Sequence, residues 1–223
     1  MIPSAIFILC FLGGHSFSLE STFQNSTQKV ETEWLLSDLV SDNSGKVRIS
    51  DHPQIIKCKY GKALLFNGTS DGVYIDSLPM KGFQNFTIEA IIRPDGEGSF
   101  EQRFFHCGEV KGDRVLMETR TLNTQWYFDA FIKSSDNVKV LADSTLLHPL
   151  NQWYHVAVVV DTNRVTTYVN RIKELSFNIS VIPITIGKTS IGVRLNEMSW
   201  FKGAIYKIKI SSKAMNPQEF MNY

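Results

Sequence analysis

The sequence predicts an all-β fold in which two antiparallel sheets pack face to face, and three observations support this prediction. Residues 153–160 and 165–171 have the composition of two neighbouring strands joined by a polar turn. Apolar and polar side chains alternate along other segments, which is typical of strands that bury one face. Turn residues recur at short intervals, as expected for a sandwich with many short strands.

Each predicted strand follows from β-branched or aromatic residues, period-two alternation or flanking turn residues. Phe86, Ile88, Ala90 and Ile92 share one face of their segment. Residues 152–160 are apolar on both faces, which indicates a central, covered strand. Asn and Gly between the segments tolerate the positive φ of tight turns. The predicted strands are residues 33–36, 47–49, 55–58, 63–66, 72–75, 85–93, 103–107, 114–119, 126–132, 138–142, 152–160, 164–169, 173–178, 185–186 and 203–211.

One short helical turn is predicted close to the C-terminus. Asn216 provides a side-chain cap, Pro217 a proline in the first turn, and Glu219 an acidic residue three positions after the cap. This combination satisfies the free amides at the start of a helix. We expect one or two turns there.

The first residues have the pattern of a signal peptide. Residues 5–12 are apolar but too few to span a bilayer, and Ser16-Phe-Ser18 follows as a small-x-small cleavage pattern. We therefore expect residues 1–18 to be a signal peptide, 19–29 a flexible lead-in and 30–223 one domain. The protein would be secreted, or periplasmic in a bacterium, and the mature chain shows no further segment that predicts a membrane span.

The composition narrows the classes of partner. The formal net charge is +1, which argues against nucleic acid and against an anionic membrane surface as partners. With 43% hydrophobic residues, the domain is able to bury one large core.

The cysteines and the glycosylation sequons each leave two alternatives open. In an exported chain, Cys58 and Cys107 either form a disulfide, worth ~3–4 kcal/mol for a loop of about 50 residues, or remain separate buried thiols. The sequons carry glycans in a eukaryotic secretory route and have no such meaning in a bacterium. They begin at Asn25, Asn67, Asn85 and Asn178.

Six segments, in this order, carry a resemblance to a known family. They are Asp42-Asn-Ser-Gly45, residues 61–68, residues 86–94, residues 153–160, Tyr168-Val-Asn170 and residues 200–219. Together they resemble the laminin-G-like jelly-roll domains of the concanavalin A-like lectin/glucanase superfamily. The resemblance implies a jelly roll that functions through its rim loops and concave sheet. It also marks a departure, because the family usually has Asn-Gly where this chain has Asn170-Arg171, and an arginine at positive φ costs about 1 kcal/mol.

Catalysis finds no support in the sequence. Glycoside hydrolases of this superfamily use paired glutamates on one strand, because hydrolysis needs two carboxylates facing one cleft. No Glu-x-Asp-x-Glu pattern occurs, and Glu89, Glu118 and Asp129 each stand singly on a predicted strand. We therefore expect no catalytic residues and no enzyme activity.

Calcium is the one cofactor that the resemblance suggests, although none is required. Relatives hold the ion between rim loops, which correspond here to residues 111–114 and 188–199. Oxygen atoms of Asp113, Asn196 and Glu197 would bind the ion, whereas Lys188 and Arg194 oppose it. The alternative is a pair of ordinary solvated loops.

The same loops offer donors to an anionic or a neutral glycan, through Arg114, Arg194 and Asn196. Trp126 is a candidate platform on which a sugar ring stacks, and burial in the core is its alternative. The predicted ligand-binding residues are therefore Asp113, Arg114, Trp126, Arg194, Asn196 and Glu197.

These features predict a secreted, non-catalytic binding module for extracellular carbohydrate or glycoprotein. Two alternatives remain. One is a structural or adhesion domain with a protein partner, and the other is a divergent carbohydrate-active enzyme whose acids lie on different strands. Because one fold hosts many functions, the choice depends on the site.

Overall fold

The computed structural model describes residues 30–223, which form sixteen strands, one helical turn and one 3-10 turn. In chain order they are β1 Glu31–Leu35, α1 Leu36–Leu39, β2 Val47–Ser50, β3 Gln54–Cys58, β4 Gly61–Asn67, β5 Gly72–Ile75, β6 Phe86–Pro94, β7 Glu101–Gly108, β8 Arg114–Leu122, β9 Gln125–Ser134, β10 Asn137–Ala142, β11 His148–Pro149, β12 Tyr154–Asp161, β13 Arg164–Val169, β14 Ile172–Asn178, β15 Lys188–Ile191, β16 Lys202–Ser211 and the 3-10 turn Pro217–Glu219.

The strands form two antiparallel sheets, which confirms the predicted fold class. Sheet A has the order β14-β13-β12-β6-β16-β4-β3, with β1 also paired to β16. Sheet B has the order β10-β9-β8-β7-β15-β5-β2, with β11 beside β9. Neighbours in each sheet are often far apart in sequence, so the chain crosses repeatedly between the two layers, as in a jelly roll.

The core lies between the sheets, where the alternation predicts it. Phe86, Ile88, Ala90 and Ile92 are buried on the inner face of β6. Strand β12, predicted to be central and covered, is hydrogen-bonded to β6 on one side and β13 on the other.

Residues 215–223, here called the C-terminal segment, cover the outer face of sheet A. His155 and Glu89 are fully buried beneath it, with His155 Nε2 2.9 Å from Glu89 Oε1. The Met221 amide donates to the same carboxylate oxygen at 2.7 Å, and the Tyr223 ring stacks on His155 at 5.1 Å. The predicted capping box at the 3-10 turn is present.

Arg171 adopts the strained conformation expected from its place in the turn, with φ of 67°. Its guanidinium donates to the carbonyl oxygens of Pro217, Phe220 and Met221 at 2.8, 3.3 and 3.0 Å. These bonds to the C-terminal segment offset the cost of positive φ, which explains how the turn accommodates an arginine.

Two predicted elements differ from the structure. The strand expected at residues 33–36 ends at Leu35, because Leu36 starts the buried turn α1. The strand expected at 185–186 begins instead at Lys188. Gly187 explains the shift, since a Cβ there would lie 2.2 Å from the Gly108 backbone, and only after this close approach does β15 run beside β7.

The structure corrects the disulfide alternative, because Cys58 and Cys107 are both free thiols. Cys107 lies in the core on β7 of sheet B, whereas Cys58 ends β3, the outermost strand of sheet A. The thiol of Cys107 instead accepts a hydrogen bond from the Thr189 hydroxyl at 3.6 Å.

Some sequence predictions concern residues that the structure does not describe, and the remaining sequons lie within residues 30–223. The signal peptide at 1–18, the lead-in at 19–29 and the sequon at Asn25 lie outside the described residues. Asn67 and Asn178 are exposed, and Asn85 is half-buried and accepts the Thr162 amide at 2.6 Å. Within residues 30–223, no helix has the length and hydropathy to cross a membrane.

Candidate functional site

Two loops meet over the outer face of sheet B, as the alignment of motifs predicts. One connects β7 to β8 (residues 109–113) and the other connects β15 to β16 (residues 192–201). His106 holds both, because its Nε2 lies 3.2 Å from the Glu109 carbonyl oxygen and its Nδ1 3.3 Å from the Leu195 amide. Burial lowers the pKa of His106 to about 3, so the imidazole is neutral and donates to one loop while it accepts from the other.

The 192–201 loop is closed at its base by Gly192. The Gly192 amide donates to the Phe104 carbonyl at 3.0 Å, and the Phe201 amide donates to the Gly192 carbonyl at 2.8 Å. Gly192 has φ of 78°, and a Cβ at this position would lie 2.3 Å from the Phe66 ring. Only glycine fits both the backbone conformation and the space.

The predicted residues Arg114 and Arg194 both contact the 109–113 loop. Arg114 donates to the Gly112 carbonyl at 2.7 Å, and Arg194 donates to the Val110 carbonyl at 2.8 Å. The Nε atom of each is buried without a hydrogen-bond partner. Burial lowers the pKa of both, and the charge of Arg103 lowers them further.

Beside these arginines, side chains of the adjacent strands β7, β8 and β9 form an ion-pair cluster on sheet B. Arg103 donates to Glu118 at 3.0 Å, and Arg120 donates to Glu118 at 3.2 Å and to Asp129 at 2.8 Å. Both arginines also pair with Glu101. The cluster therefore holds three carboxylates and two guanidiniums, and the side chains of Glu118 and Asp129 are each 2% exposed. Its members are Glu101, Arg103, Glu118, Arg120 and Asp129.

The surplus carboxylate makes Glu118 the proton-binding member of the ion-pair cluster. Burial raises the pKa of Glu118 to about 7, against the opposing charge of Arg103 and with help from nearby Asp129. Burial also raises the pKa of Asp129, although Arg120 opposes the shift. Glu101 is more exposed, and hydrogen bonds from Arg120 and Arg103 outweigh its desolvation and lower its pKa.

This shift predicts a pH dependence for Glu118→Gln. The folded pKa lies above the unfolded value of 4.5, so the folded state binds more protons and Glu118 loses stabilising power as pH rises toward 7. We expect the free energy of unfolding of Glu118→Gln, relative to wild type, to rise by roughly 2–3 kcal/mol between pH 5 and pH 8. Urea unfolding across this range measures it.

The matched control is Glu97→Gln, since the Glu97 side chain is 92% exposed. The free energy of unfolding of the control should depend on pH as that of the wild type does. The same parallel pH dependence in Glu118→Gln would contradict the assignment of the proton to Glu118.

A cavity of about 320 Å³ opens on the same outer face, between β2, β5, β15 and the 192–201 loop. Arg48 lies over the Tyr74 ring, 3.8 Å from its centroid, and pairs with Glu197 at 3.4 Å. The Tyr74 hydroxyl is buried without a hydrogen-bond partner, and burial and the charge of Glu197 raise its pKa to about 12. The lining includes Lys46, Arg48, Tyr74, Asp76, Lys188 and Leu195.

The three predicted calcium ligands face separate partners in this structure. Asp113 accepts the Ser135 amide at 2.6 Å, the Asn196 amide faces the Met198 sulfur at 3.0 Å, and Glu197 pairs with Arg48. Among residues 30–223, no three acidic, histidine or cysteine side chains converge as a metal would require. Calcium binding by these three residues therefore stays a prediction.

Trp126 is corrected as a sugar platform, because it is fully buried. It lies on the inner face of β9, with its ring 5.2 Å from Tyr154 and 5.3 Å from His148. Its neighbour Tyr127 faces the outer side, so the alternation of β9 decides which ring enters the core.

Sequence reasoning missed most of the ion-pair cluster and most of the cavity. Alternation along β8 does place Arg114, Glu118 and Arg120 on one face. The pairing of Glu118 with Asp129 and Arg103, however, depends on the strand register. Arg48 and Tyr74 meet for the same reason, through the pairing of β2 with β5.

Comparison with known proteins defines the class to which this architecture belongs. Residues 67–220 match the laminin G family model described as the concanavalin A-like lectin/glucanases superfamily. Since the match covers more than half of the sequence, the chain belongs to this superfamily, and the predicted family is confirmed. No curated protein sequence matches the chain significantly.

Solved structures share the fold at low sequence identity. Domain 4 of AbnA, a GH43 extracellular arabinanase from Geobacillus stearothermophilus, was solved with arabinotriose; it is 20% identical, with a TM-score of 0.60 over 78% of this chain and 85% of that domain. The botulinum neurotoxin serotype D binding domain is 13% identical, with a TM-score of 0.58 over 78% of this chain and 45% of its own. A heptameric SAP-like pentraxin from Limulus polyphemus is 16% identical, with a TM-score of 0.52 over 78% and 79%. At these identities the likeness concerns the fold.

Proposed function

We propose that this protein is a secreted, non-catalytic carbohydrate-binding module that binds extracellular glycans on the outer face of sheet B. The observation that carries the proposal is the cavity of about 320 Å³ beside the 192–201 loop. Its volume is within the range of small-molecule sites, and its donors are the kind that fix sugar hydroxyls. The arabinotriose in the structurally similar arabinanase domain supports a glycan as the ligand class.

The position of the carboxylates supports binding without catalysis. Glu118 and Asp129 face each other on neighbouring strands, which is the arrangement that a hydrolase with acids on different strands would need. Both are almost fully buried, however, and both bond to Arg120. A glycosidic oxygen and an attacking water need access to such groups, and this pair offers access to neither.

The cavity predicts a binding defect for Arg48→Ala. Its side chain is 60% exposed, so its removal should leave the fold intact while it removes a charged donor from the cavity. We expect binding to the best ligand on a glycan array to weaken about tenfold or more. The array is probed with calcium and again with chelator, and affinities for wild type and variant are then measured by titration calorimetry.

Arg164→Ala is the matched control, since Arg164 is exposed at the start of β13 in sheet A. If Arg48→Ala binds the glycan as tightly as the wild type, the glycan-binding site lies outside this cavity. Absence of binding to every glycan on the array, together with binding to one defined extracellular protein, would support the adhesion alternative. Polysaccharide cleavage that disappears in Glu118→Gln would overturn the non-catalytic assignment.

A further inference from the structure

Strand β3 forms an open edge of sheet A. It is the last strand in the order of that sheet, and β4 is its one neighbour within residues 30–223. In an edge strand, alternate residues direct their amide N–H and carbonyl groups away from the sheet. The free edge of β3 therefore offers backbone donors and acceptors to a further strand.

Three exposed lysines surround this edge without acidic partners. They are Lys57 on β3, Lys59 in the turn that follows and Lys62 on β4. Lys57 lies directly opposite Lys62, and like charges in such cross-strand positions destabilise a sheet. Lys207 on β16 pairs with Glu33, whereas none of the three lysines pairs with an acid in the part of the chain that the structure describes. An acid from outside this domain would balance their charge.

The edge also has an apolar position. Ile55 is 49% exposed and lies two residues before Lys57, so the two side chains point to the same side of β3. Lysine on an edge strand discourages pairing between two copies of a protein. The same positive charge favours a strand that carries acids, and Ile55 favours an apolar residue two positions from an acid.

Ring contacts fix the turn between β3 and β4. The Tyr60 ring lies 5.7 Å from the Trp153 ring and 5.5 Å from the Tyr206 ring, measured between centroids. The Lys59 ammonium lies 4.7 Å from the Tyr60 centroid. Because the three rings come from separate segments of the chain, the edge is ordered without a ligand. Binding at this edge therefore costs little conformational entropy of the domain.

We propose that β3 is a docking edge for an acidic, extended polypeptide segment, which adds to sheet A as a further antiparallel strand. Backbone hydrogen bonds supply the affinity, and alternate side chains supply the selectivity. The added strand places an acid opposite Lys57, an apolar residue opposite Ile55 and a second acid near Lys59, which is the pattern Glu-x-Glu-x-Val. This partner is a protein and its edge lies on sheet A, so the inference is independent of the glycan site proposed on sheet B.

Three synthetic peptides test the inference against the full-length chain. The first has a central Glu-Thr-Glu-Thr-Val segment. The second has the same sequence with methyl groups on the backbone amides of that segment, which keeps the charge and removes the hydrogen-bond donors. The third has Lys in place of each Glu. By titration calorimetry at about 0.15 M salt, we expect the first peptide to bind about tenfold more tightly than either control, or more.

The variant Lys57→Glu is expected to weaken binding of the first peptide about tenfold and to strengthen binding of the Lys peptide. Its fold should persist, because the change converts the like-charge pair with Lys62 into a pair of opposite charges, and thermal unfolding checks this. Lys173→Glu is the matched control, since Lys173 is exposed on β14 at the other edge of sheet A. The control should bind the first peptide as the wild type does.

Amide hydrogen exchange locates the bound peptide directly. An added strand covers the free backbone amides of β3, so the first peptide should slow exchange in residues 54–58. Exchange in β14 should not change, because that edge remains open. Protection of β14 in place of β3 would assign the docking edge to the wrong strand.

Four further results would overturn the inference. One is absence of binding by the first peptide. Another is equal binding of the methylated peptide, which would show attraction by charge without strand addition. The third is unchanged affinity in Lys57→Glu, or an equal loss in Lys173→Glu. The last is binding of chondroitin sulfate that Lys57→Glu abolishes while the peptides do not bind, which would assign the lysines to a polysaccharide.

Discussion

Replacement of Arg120 by methionine is expected to lower the free energy of unfolding by about 3–5 kcal/mol near neutral pH. The Arg120 side chain is 17% exposed and bonds to three carboxylates, of which Glu118 and Asp129 are buried. Methionine preserves much of the apolar stem but removes the main counter-charge of Asp129 and leaves Glu118 with Arg103 alone. Urea unfolding of both proteins gives the difference.

The loss should shrink when the pH is lowered toward 5, because Glu118 then takes up a proton and needs no counter-charge. Arg164→Met is the matched control and should change the stability by no more than about 0.5 kcal/mol, as exposed substitutions do. A loss below about 1 kcal/mol in Arg120→Met at neutral pH would mean that the ion-pair cluster is solvated and does not stabilise sheet B.

Gly192→Ala is expected to destabilise the protein by about 2–4 kcal/mol. Part of this cost is the positive φ of 78°, and part is the overlap of the new Cβ with the Phe66 ring at 2.3 Å. Phe66 is 1% exposed, so the ring has no solvent into which to move. Because Gly192 closes the base of the loop that borders the cavity proposed to bind glycan, the variant also tests whether that proposed affinity depends on the loop.

Gly82→Ala separates the two contributions. Gly82 has the same φ of 78°, but a Cβ at this position would have no atom within 4 Å, so the alanine variant bears only the backbone cost of about 1 kcal/mol. Chemical unfolding of the two variants side by side gives the cost of the overlap as their difference. Equal losses would show that the core around Phe66 adapts to the methyl group without strain.

The fold was predictable because its determinants are local in sequence. Period-two alternation in β6 and the continuous apolar run in β12 specify which faces are buried, and these faces are buried in the structure. The strand predictions were wrong where a residue that is distant in sequence but close in space determines where the strand begins. The start of β15 depends on the approach of Gly187 to Gly108, and no pattern around residue 187 reveals that contact.

The candidate site was predictable only in outline. Alignment of motifs brought the two loops with Arg114 and Arg194 together. Their actual link is His106, a buried imidazole whose role depends on two loop backbones. Asp113 and Glu197 have ligand-type side chains, yet each is turned to another partner. Residue type identified these side chains as possible ligands, whereas the direction in which each one points depends on the folded loops.

The C-terminal segment has a consequence for how the domain is presented to its surroundings. Tyr223 rests on the outer side of sheet A, where Arg171 secures the preceding residues. Polypeptide attached beyond it, or a support that captures that end, would therefore lie behind the sandwich. The outer face of sheet B, with its cavity beside the 192–201 loop, would then point away from that attachment.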